Sequence, residues 1–561
     1  MSSSAASDSA RRERPEPASM RPSAIAPSSS RTRIPATLSV LQAGAGSSAS
    51  TSMSVSVYAT SLRSRHSLYG TEDRIVLDLG SSVWKVGFSG EAAPRACLSV
   101  RALLGALPGH SDNERQLWTL DQNEPGPLVW KIRENRTKRC LRRVWHDILM
   151  VDSRSRKVVI VDTALQSVKI KEMIARILFE NLQVPSISYA PACVLSSMAC
   201  GTVTGLVVEC GNLETSIVPV FASRPMFQSM LSTTRAGQKL ARRLGSLLLL
   251  FGSYAKPPST LNSSARPTIS RIPPEVLSDD LLQEMVSRLC YVGNADRETF
   301  EAVLEPERML VDDEVDELLD RDATFLRRYE KRYAVSSAAS TIAFPIPNFG
   351  KPAATGGVGR GWIQVPGWVR ERTAEVIFES GDEDELSLVE LILECLNNLS
   401  IDLRKVMVSN MIVSGGTAML PGFLPRLDDA LRTALAEAHP VSPPPSPLPE
   451  SERAETLSHA RTTRRLSAFR SRSRFAALAP LEPHVAILNN PASHPTDGHQ
   501  NEKSGMAPAF APALLPWIGG SLVGALKSGG VELFREAWDS LAEQTSVTGF
   551  IPDWTRPVEC V

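Results

Sequence analysis

No sign of charge dominates this chain. Its 561 residues carry 61 Lys and Arg against 61 Asp and Glu. That balance removes the field that would draw the whole molecule onto nucleic acid or anionic lipid. Long apolar runs are missing too. A bilayer span needs about 18 such residues, and the longest run here is Leu247-Leu248-Leu249-Leu250-Phe251. It reads as the buried end of a helix, so no direct membrane insertion is expected. The eight cysteines are scattered, with no Cys-x-x-Cys pair. That argues against a structural zinc and against thioredoxin-like chemistry, and it fits a reducing compartment. The length is enough for two or three domains.

What is present is a set of three small-residue turns, each at the end of an apolar strand. Ile75-Val76-Leu77 leads through Asp78-Leu79 into Gly80-Ser81-Ser82, and a second strand follows from Val83. Such a turn lets backbone N–H groups face outward and form an anion-binding concavity. Asp78, just before it, is placed to hold the hydration shell of Mg²⁺. Lys85 offers a point charge for a phosphate. Gly205-Leu206-Val207-Val208-Glu209-Cys210-Gly211-Asn212 repeats the pattern, with another strand at 215–221. Far downstream, Met411-Ile412-Val413-Ser414 enters Gly415-Gly416-Thr417-Ala418-Met419. The spacing of Phe423, Leu424, Leu427, Leu431 and Leu435 predicts a helix from Phe423 to about Ala438.

Two phosphate-type hairpins followed by a Gly-Gly-Thr-x-Met-x-Pro-Gly loop resemble the nucleotide cleft of the actin superfamily. The run from Asp78 through Gly87-Phe88, Gly90-Glu91 and Ala93-Pro94-Arg95 is similar to actin's first phosphate loop. Trp517-Ile518-Gly519-Gly520-Ser521 is similar to the last motif shared by that family. The resemblance implies an α/β, actin-like fold: a duplicated, ribonuclease-H-like pair of domains clamping a nucleotide between them. Residues carried over to that cleft are Asp78, Gly80, Ser81, Ser82, Lys85, Glu209, Gly211, Asn212, Gly415, Gly416, Thr417 and Met419. Asp78 would meet Mg through water, and ATP or ADP with Mg is the implied ligand. The hydrolytic positions differ. Ala192 stands where the family has its water-positioning glutamine, and Ser216 where it has a histidine. Val286 and Ser287 replace the adenine-contacting Lys-Glu pair. A water must be held in line and polarised for hydrolysis, and a methyl and a hydroxyl do not supply that. The expectation is a pseudo-ATPase, with no catalytic residue assigned.

The organisation implied is discontinuous. Residues 1–70 read as a disordered Ser/Arg-rich tail. Residues 71–200 would form one large subdomain, with a small basic and irregular insertion at 101–143, and 511–561 would return to it. The second large subdomain would start in 201–333, which also holds its smaller insertion, and finish in 370–438. Residues 334–369 read as a flexible linker, since Gly356-Gly357-Val358-Gly359-Arg360-Gly361 lacks the flanking strand of a dinucleotide site. Residues 439–510 read as a largely disordered Pro/Arg-rich insertion, with a strand rejoining the fold around 475–488. Within the tail, Thr32-Arg33-Ile34-Pro35 resembles a docking motif for microtubule end-binding proteins. Ser270-Arg271-Ile272-Pro273 repeats it within a segment expected to fold, so the motif is weakly specific.

Gly549-Phe550-Ile551-Pro552-Asp553-Trp554 is unlike the basic end of conventional actin. It resembles the divergent pointed-end branch of the family found in dynactin. That resemblance implies a cytoplasmic, cytoskeletal protein without nucleic-acid partners. Its expected partners are the actin-like filament subunit of dynactin and the other pointed-end subunits. The alternatives are an actin-related protein of a chromatin-remodelling complex and a divergent ATPase of the actin and sugar-kinase superfamily.

Overall fold

Ile75, Val76 and Leu77 are fully enclosed, so the strand they form belongs inside a sheet covered on both faces. That strand, β1 (Ile75–Leu79), makes an antiparallel hairpin with β2 (Val83–Phe88) and pairs in parallel with β4 (Val158–Asp162). In the computed structural model these strands lie in a six-stranded sheet of order β15-β5-β4-β1-β2-β3. Here β3 is Ala96–Ser99, β5 is Ser186–Pro191 and β15 is Glu532–Phe534. The structure describes residues 74–100, 127–256, 269–293, 339–346, 361–379, 386–438, 474–491, 503–528 and 530–548, short of single positions, with a few isolated residues between. All of them belong to one compact unit spanning 53–561.

The same topology occurs again. β6 (Gly205–Cys210) and β7 (Thr215–Phe221) form a second antiparallel hairpin, and β6 pairs in parallel with β14 (Met411–Ser414). β8 (Arg224–Pro225) and β9 (Leu231–Thr233) extend this sheet from β7. In each half the first hairpin strand is flanked by its own return and by a parallel strand from later in the chain. This is the duplicated, actin-like α/β arrangement.

Two helices form the layer between the sheets. Leu515–Leu526 lies on β1 and β4, while Ala192–Ala199 faces β6, β7 and β14. Their shared core draws Val76, Val159 and Val161 from the first sheet and Val207, Val218 and Ile412 from the second. Contact between the helices is close because residue 519 is glycine: a Cβ there would stand 2.0 Å from the Leu195 carbonyl oxygen. Trp517 is fully buried and donates its indole N–H to the Val76 carbonyl at 3.2 Å. Among the described residues no helix is long and apolar enough to cross a membrane.

Several expectations need correction. Residues 334–369, read as a flexible linker, contain regular structure at 342–345, 362–365 and 367–369. β12 (Ile342–Pro345) and β13 (Trp362–Val365) pair with each other and join β10 (Ser253–Ala255) and β11 (Ile269–Ser270) in a third sheet of order β11-β10-β13-β12. Phe344, Ile363 and Val365 point inward while Trp362 is exposed. The alternation is only four residues long on each side of a glycine-rich stretch, so composition masked it. Of the 101–143 insertion, 127–143 is one continuous helix rather than irregular chain. The helix after β4 starts at Val168 and ends in π-helical turns at Ile177–Asn181.

The strand expected around 475–488 is instead 3₁₀ turns over Ala476–His484, because Pro480 and Pro483 lack the N–H groups a ladder requires. One parallel bridge survives, between Met411 and Ile487. Beside it the Asn489 side chain substitutes for a strand peptide, accepting from Val413 N–H at 3.1 Å and donating to its carbonyl at 2.7 Å. Arg432 fixes this segment by donating to the carbonyls of Glu482 and Val485. Residues 474–491 and 503–510, assigned to a largely disordered insertion, thus include chain packed on the second sheet.

The helix Phe423–Glu437 matches its expected span. The second Ile-Pro motif lies in the body, with Ile272 buried. The 1–70 tail with Thr32-Arg33-Ile34-Pro35, the proline-rich 443–449 stretch and the terminal 549–554 motif lie outside the described residues.

Candidate functional site

The register of the first hairpin sets its chemistry. Asp78 lies directly opposite Lys85 across the β1–β2 pair, and the buried carboxylate and the half-buried ammonium form an ion pair. Lys85 is therefore engaged by a carboxylate of its own hairpin. The turn Gly80–Ser82 is braced from outside: Trp118 donates its indole N–H to the Gly80 carbonyl at 3.0 Å, and Val100 N–H reaches Ser82 at 2.9 Å. Trp118 was visible in the sequence only as part of an irregular basic stretch, and nothing local marks it as a turn brace.

The second hairpin closes through Gly211 N–H to the Glu214 carbonyl at 3.0 Å. Its turn is held from two sides. The Thr417 hydroxyl donates to the Gly211 carbonyl at 2.7 Å, and Gly237 N–H approaches the same oxygen at 3.1 Å. Gly237 opens the helix Gly237–Phe251, and a Cβ there would press on Thr417 Oγ1 and Asn212 Oδ1 at about the limit of contact. The sequence reading did not single it out. A glycine at the head of the helically spaced Leu240, Leu244, Leu247 and Leu248 was the available signal.

The third turn follows β14. Gly415 has φ +101°, and an added Cβ would lie 2.1 Å from the Cys210 carbonyl oxygen, so glycine alone fits there. Thr417 through Met419 form a short 3₁₀ turn in which Met419 N–H meets the Gly416 carbonyl at 3.2 Å.

Asp78, Gly211 and Gly416 thus belong to one region. Asn212 Nδ2 stands 3.5 Å from Ser81 Oγ, joining the first turn to the second, and Thr417 joins the second to the third. Ser82 Oγ lies 3.4 Å from Gln283 Oε1 on the helix Asp279–Leu289, which adds a fourth element. Glu209, Ser216 and Ala192 line the same neighbourhood in sequence register: Glu209 is paired opposite Ser216, and Ala192 begins the helix that follows β5.

Charge in this region is acidic and unevenly compensated. Glu209 Oε1 is buried with no hydrogen-bond partner. Burial pushes its carboxyl up to about 8, helped by the nearby Asp78, Glu214 and Asp162 and opposed by Lys85. At neutral pH most of it therefore holds its proton. Burial also raises Glu214. Asp162 is neutralised by Lys171, 2.8 Å away in a buried pair.

The fit of these residues to a magnesium nucleotide is partial. The backbone frame of three turns is in place. The polar side chains that would grip the ligand are engaged elsewhere or absent. Lys85 is bound to Asp78. Val286 packs against the hydrophobic core, and Ser287 donates to the Glu284 carbonyl of its own helix at 2.9 Å. Ala192 and Ser216 are both buried and offer a methyl and a hydroxyl. Among the described residues no three His, Cys, Asp or Glu side chains are grouped to hold a metal ion.

Two α/β halves of one topology, packed through a helix pair and meeting at three glycine turns, define an actin-like protein. The chain belongs to the actin family: the sequence profile of that family, Actin, matches residues 70–250 and 363–485, more than half of the chain. The matched segments contain all three turns. The unmatched 251–362 interval holds most of the third sheet.

Proposed function

We propose that this chain is a structural actin-related subunit that ends an actin-like filament. On this reading it caps the pointed end of the dynactin filament, as actin-related protein 10 does, and supports dynein-based transport along microtubules. The observation that carries the reading is a retained turn frame in which positions 192 and 216 hold only a methyl and a hydroxyl. A filament subunit joined head to tail by heterologous contacts adds without limit unless one face is lost. A family member that keeps the body and diverges at 251–362 and at its end has the form of a terminator. The 549–554 segment supports the dynactin branch by resemblance.

The cleft is then not an engine. A nucleotide held by the three turns acts as a ligand between the two halves and raises stability by mass action. Nucleotide released from purified, denatured protein measures occupancy, and turnover at conventional actin's rate would sink the pseudo-ATPase reading. Affinity capture with mass spectrometry tests the assembly. Dynactin pointed-end subunits are expected among the captured proteins; chromatin-remodelling subunits in their place would favour the nuclear alternative.

A further inference from the structure

The helix Pro127–Arg143 and the π-helical turns that extend it to Leu149 carry one stripe that the body does not use. Burial along them follows the helical period. Arg133, Arg136, Thr137, Cys140, Leu141, Val144 and Trp145 are enclosed. The opposite stripe, containing Lys131, Asn135, Arg139, Arg142 and His146, is exposed.

Charge on the exposed stripe is of one sign. The helix holds a single carboxylate, Glu134, and Arg176 of the neighbouring helix stands 3.9 Å from it. Asp147, beyond the helix, lies 3.8 Å from Arg143. Among the described residues Arg142 meets a neutral partner, Asn181, at 3.2 Å. Lys131, Lys138 and Arg139 form no ion pair with any described residue. Like charges at helical separations of three and four repel, and here Lys138 faces Arg142 while Arg139 faces both Arg142 and Arg143. Such a face costs stability in the isolated chain and is relieved when an acidic surface covers it.

Apolar contact is available at the head of the same stripe. Leu128 is 71% exposed and Ile132, one turn later, 37% exposed. The helix is about 25 Å long at 1.5 Å per residue, so the whole feature has the dimensions of one partner helix.

We propose that this stripe is a docking surface for an acidic amphipathic segment of a partner protein. Partner carboxylates meet Lys131, Lys138, Arg139 and Arg142, and partner apolar side chains cover Leu128 and Ile132. A phosphate backbone has no use for the apolar pair, and the stripe is one helix wide. The inference does not rest on the pointed-end reading and uses no residue of the cleft.

The test is fluorescence anisotropy of the full-length protein with a labelled helical peptide of alternating Glu and Leu character. A DNA duplex and vesicles containing phosphatidylserine serve as competing ligands at the same salt. The peptide is expected to bind best. Affinity should fall about tenfold or more in K131E/R139E/R142E, whose exposed positions and relieved repulsion should keep the thermal midpoint from falling. The charge-preserving R139K/R142K should retain binding, and L128S/I132S should weaken it. Peptide affinity indifferent to charge reversal, or tighter binding of DNA or vesicles than of peptide, would overturn the proposal.

Discussion

The two hairpins of the cleft share a topology and differ at one register position. In each, an acidic residue sits two places before the turn glycine: Asp78 before Gly80, Glu209 before Gly211. In each, the residue seven positions later lies directly across the strand pair. That residue is Lys85 in the first hairpin and Ser216 in the second. The first carboxylate is neutralised inside its own hairpin. The second has its Oε1 buried and unpaired and is pushed up to about 8. One cross-strand position thus decides whether the carboxyl two residues before the turn glycine meets a cation in its own hairpin. Duplicated halves therefore need not have duplicated electrostatics, and family membership does not transfer a charge state from one half to the other.

Breaking the pair in the first hairpin should have the largest effect. Lys85→Met leaves the Asp78 carboxylate buried without its counter-ion, a loss typically of about 3–5 kcal/mol. Denaturant unfolding at pH 7 should show the midpoint falling without a change in slope. A midpoint within error of the wild type would mean that the two hairpins do not differ as described.

The second hairpin should respond in the opposite direction. Because the folded-state pKa of Glu209 lies above its ordinary value of 4.5, the native state binds this proton more tightly than the unfolded chain does. Its contribution to stability is fully present below pH 4.5 and is lost as pH rises through about 8. Glu209→Gln keeps the neutral shape and removes the titration. The variant should match the wild type in acid and be the more stable protein by pH 8–9. Thermal unfolding across pH 4–9 checks this, and parallel stability curves for the two proteins would contradict it.

The smallest effect concerns how the third turn supports the second. Thr417→Val deletes the 2.7 Å hydrogen bond to the Gly211 carbonyl at nearly constant volume. About 1 kcal/mol should be lost. Faster hydrogen exchange confined to residues 211–214 would show that the loss is local to that turn.

Much of the fold was readable from the chain. The runs at 75–79, 205–210 and 411–414 are apolar and bounded by glycine turns, so their identity as buried strands did not depend on distant partners. The Phe423–Glu437 helix followed from spacing alone. The short strands at 342–345 and 362–365 did not, because four-residue elements beside glycine-rich chain carry too little periodicity to outweigh composition. The 475–488 stretch failed for a different reason: it joins a strand through the Asn489 side chain, and side-chain mimicry of a peptide leaves no periodic signal. At the site, the turn residues were identifiable by type. Trp118, Gly237 and Gln283 were not, since each reaches the cleft from an element remote in sequence.

By itself the sequence determined which segments could be strands, which turns required glycine, and that positions 192 and 216 hold alanine and serine. These are properties of local residue type and of steric limits on the backbone. Only the tertiary structure decided that the three turns meet, that Lys85 is spent on Asp78, and that Glu209 Oε1 is left enclosed without a hydrogen-bond partner. Those outcomes depend on strand register and on the close approach at Gly415 and Gly519, where distances of a few ångströms between residues far apart in the chain set desolvation and charge.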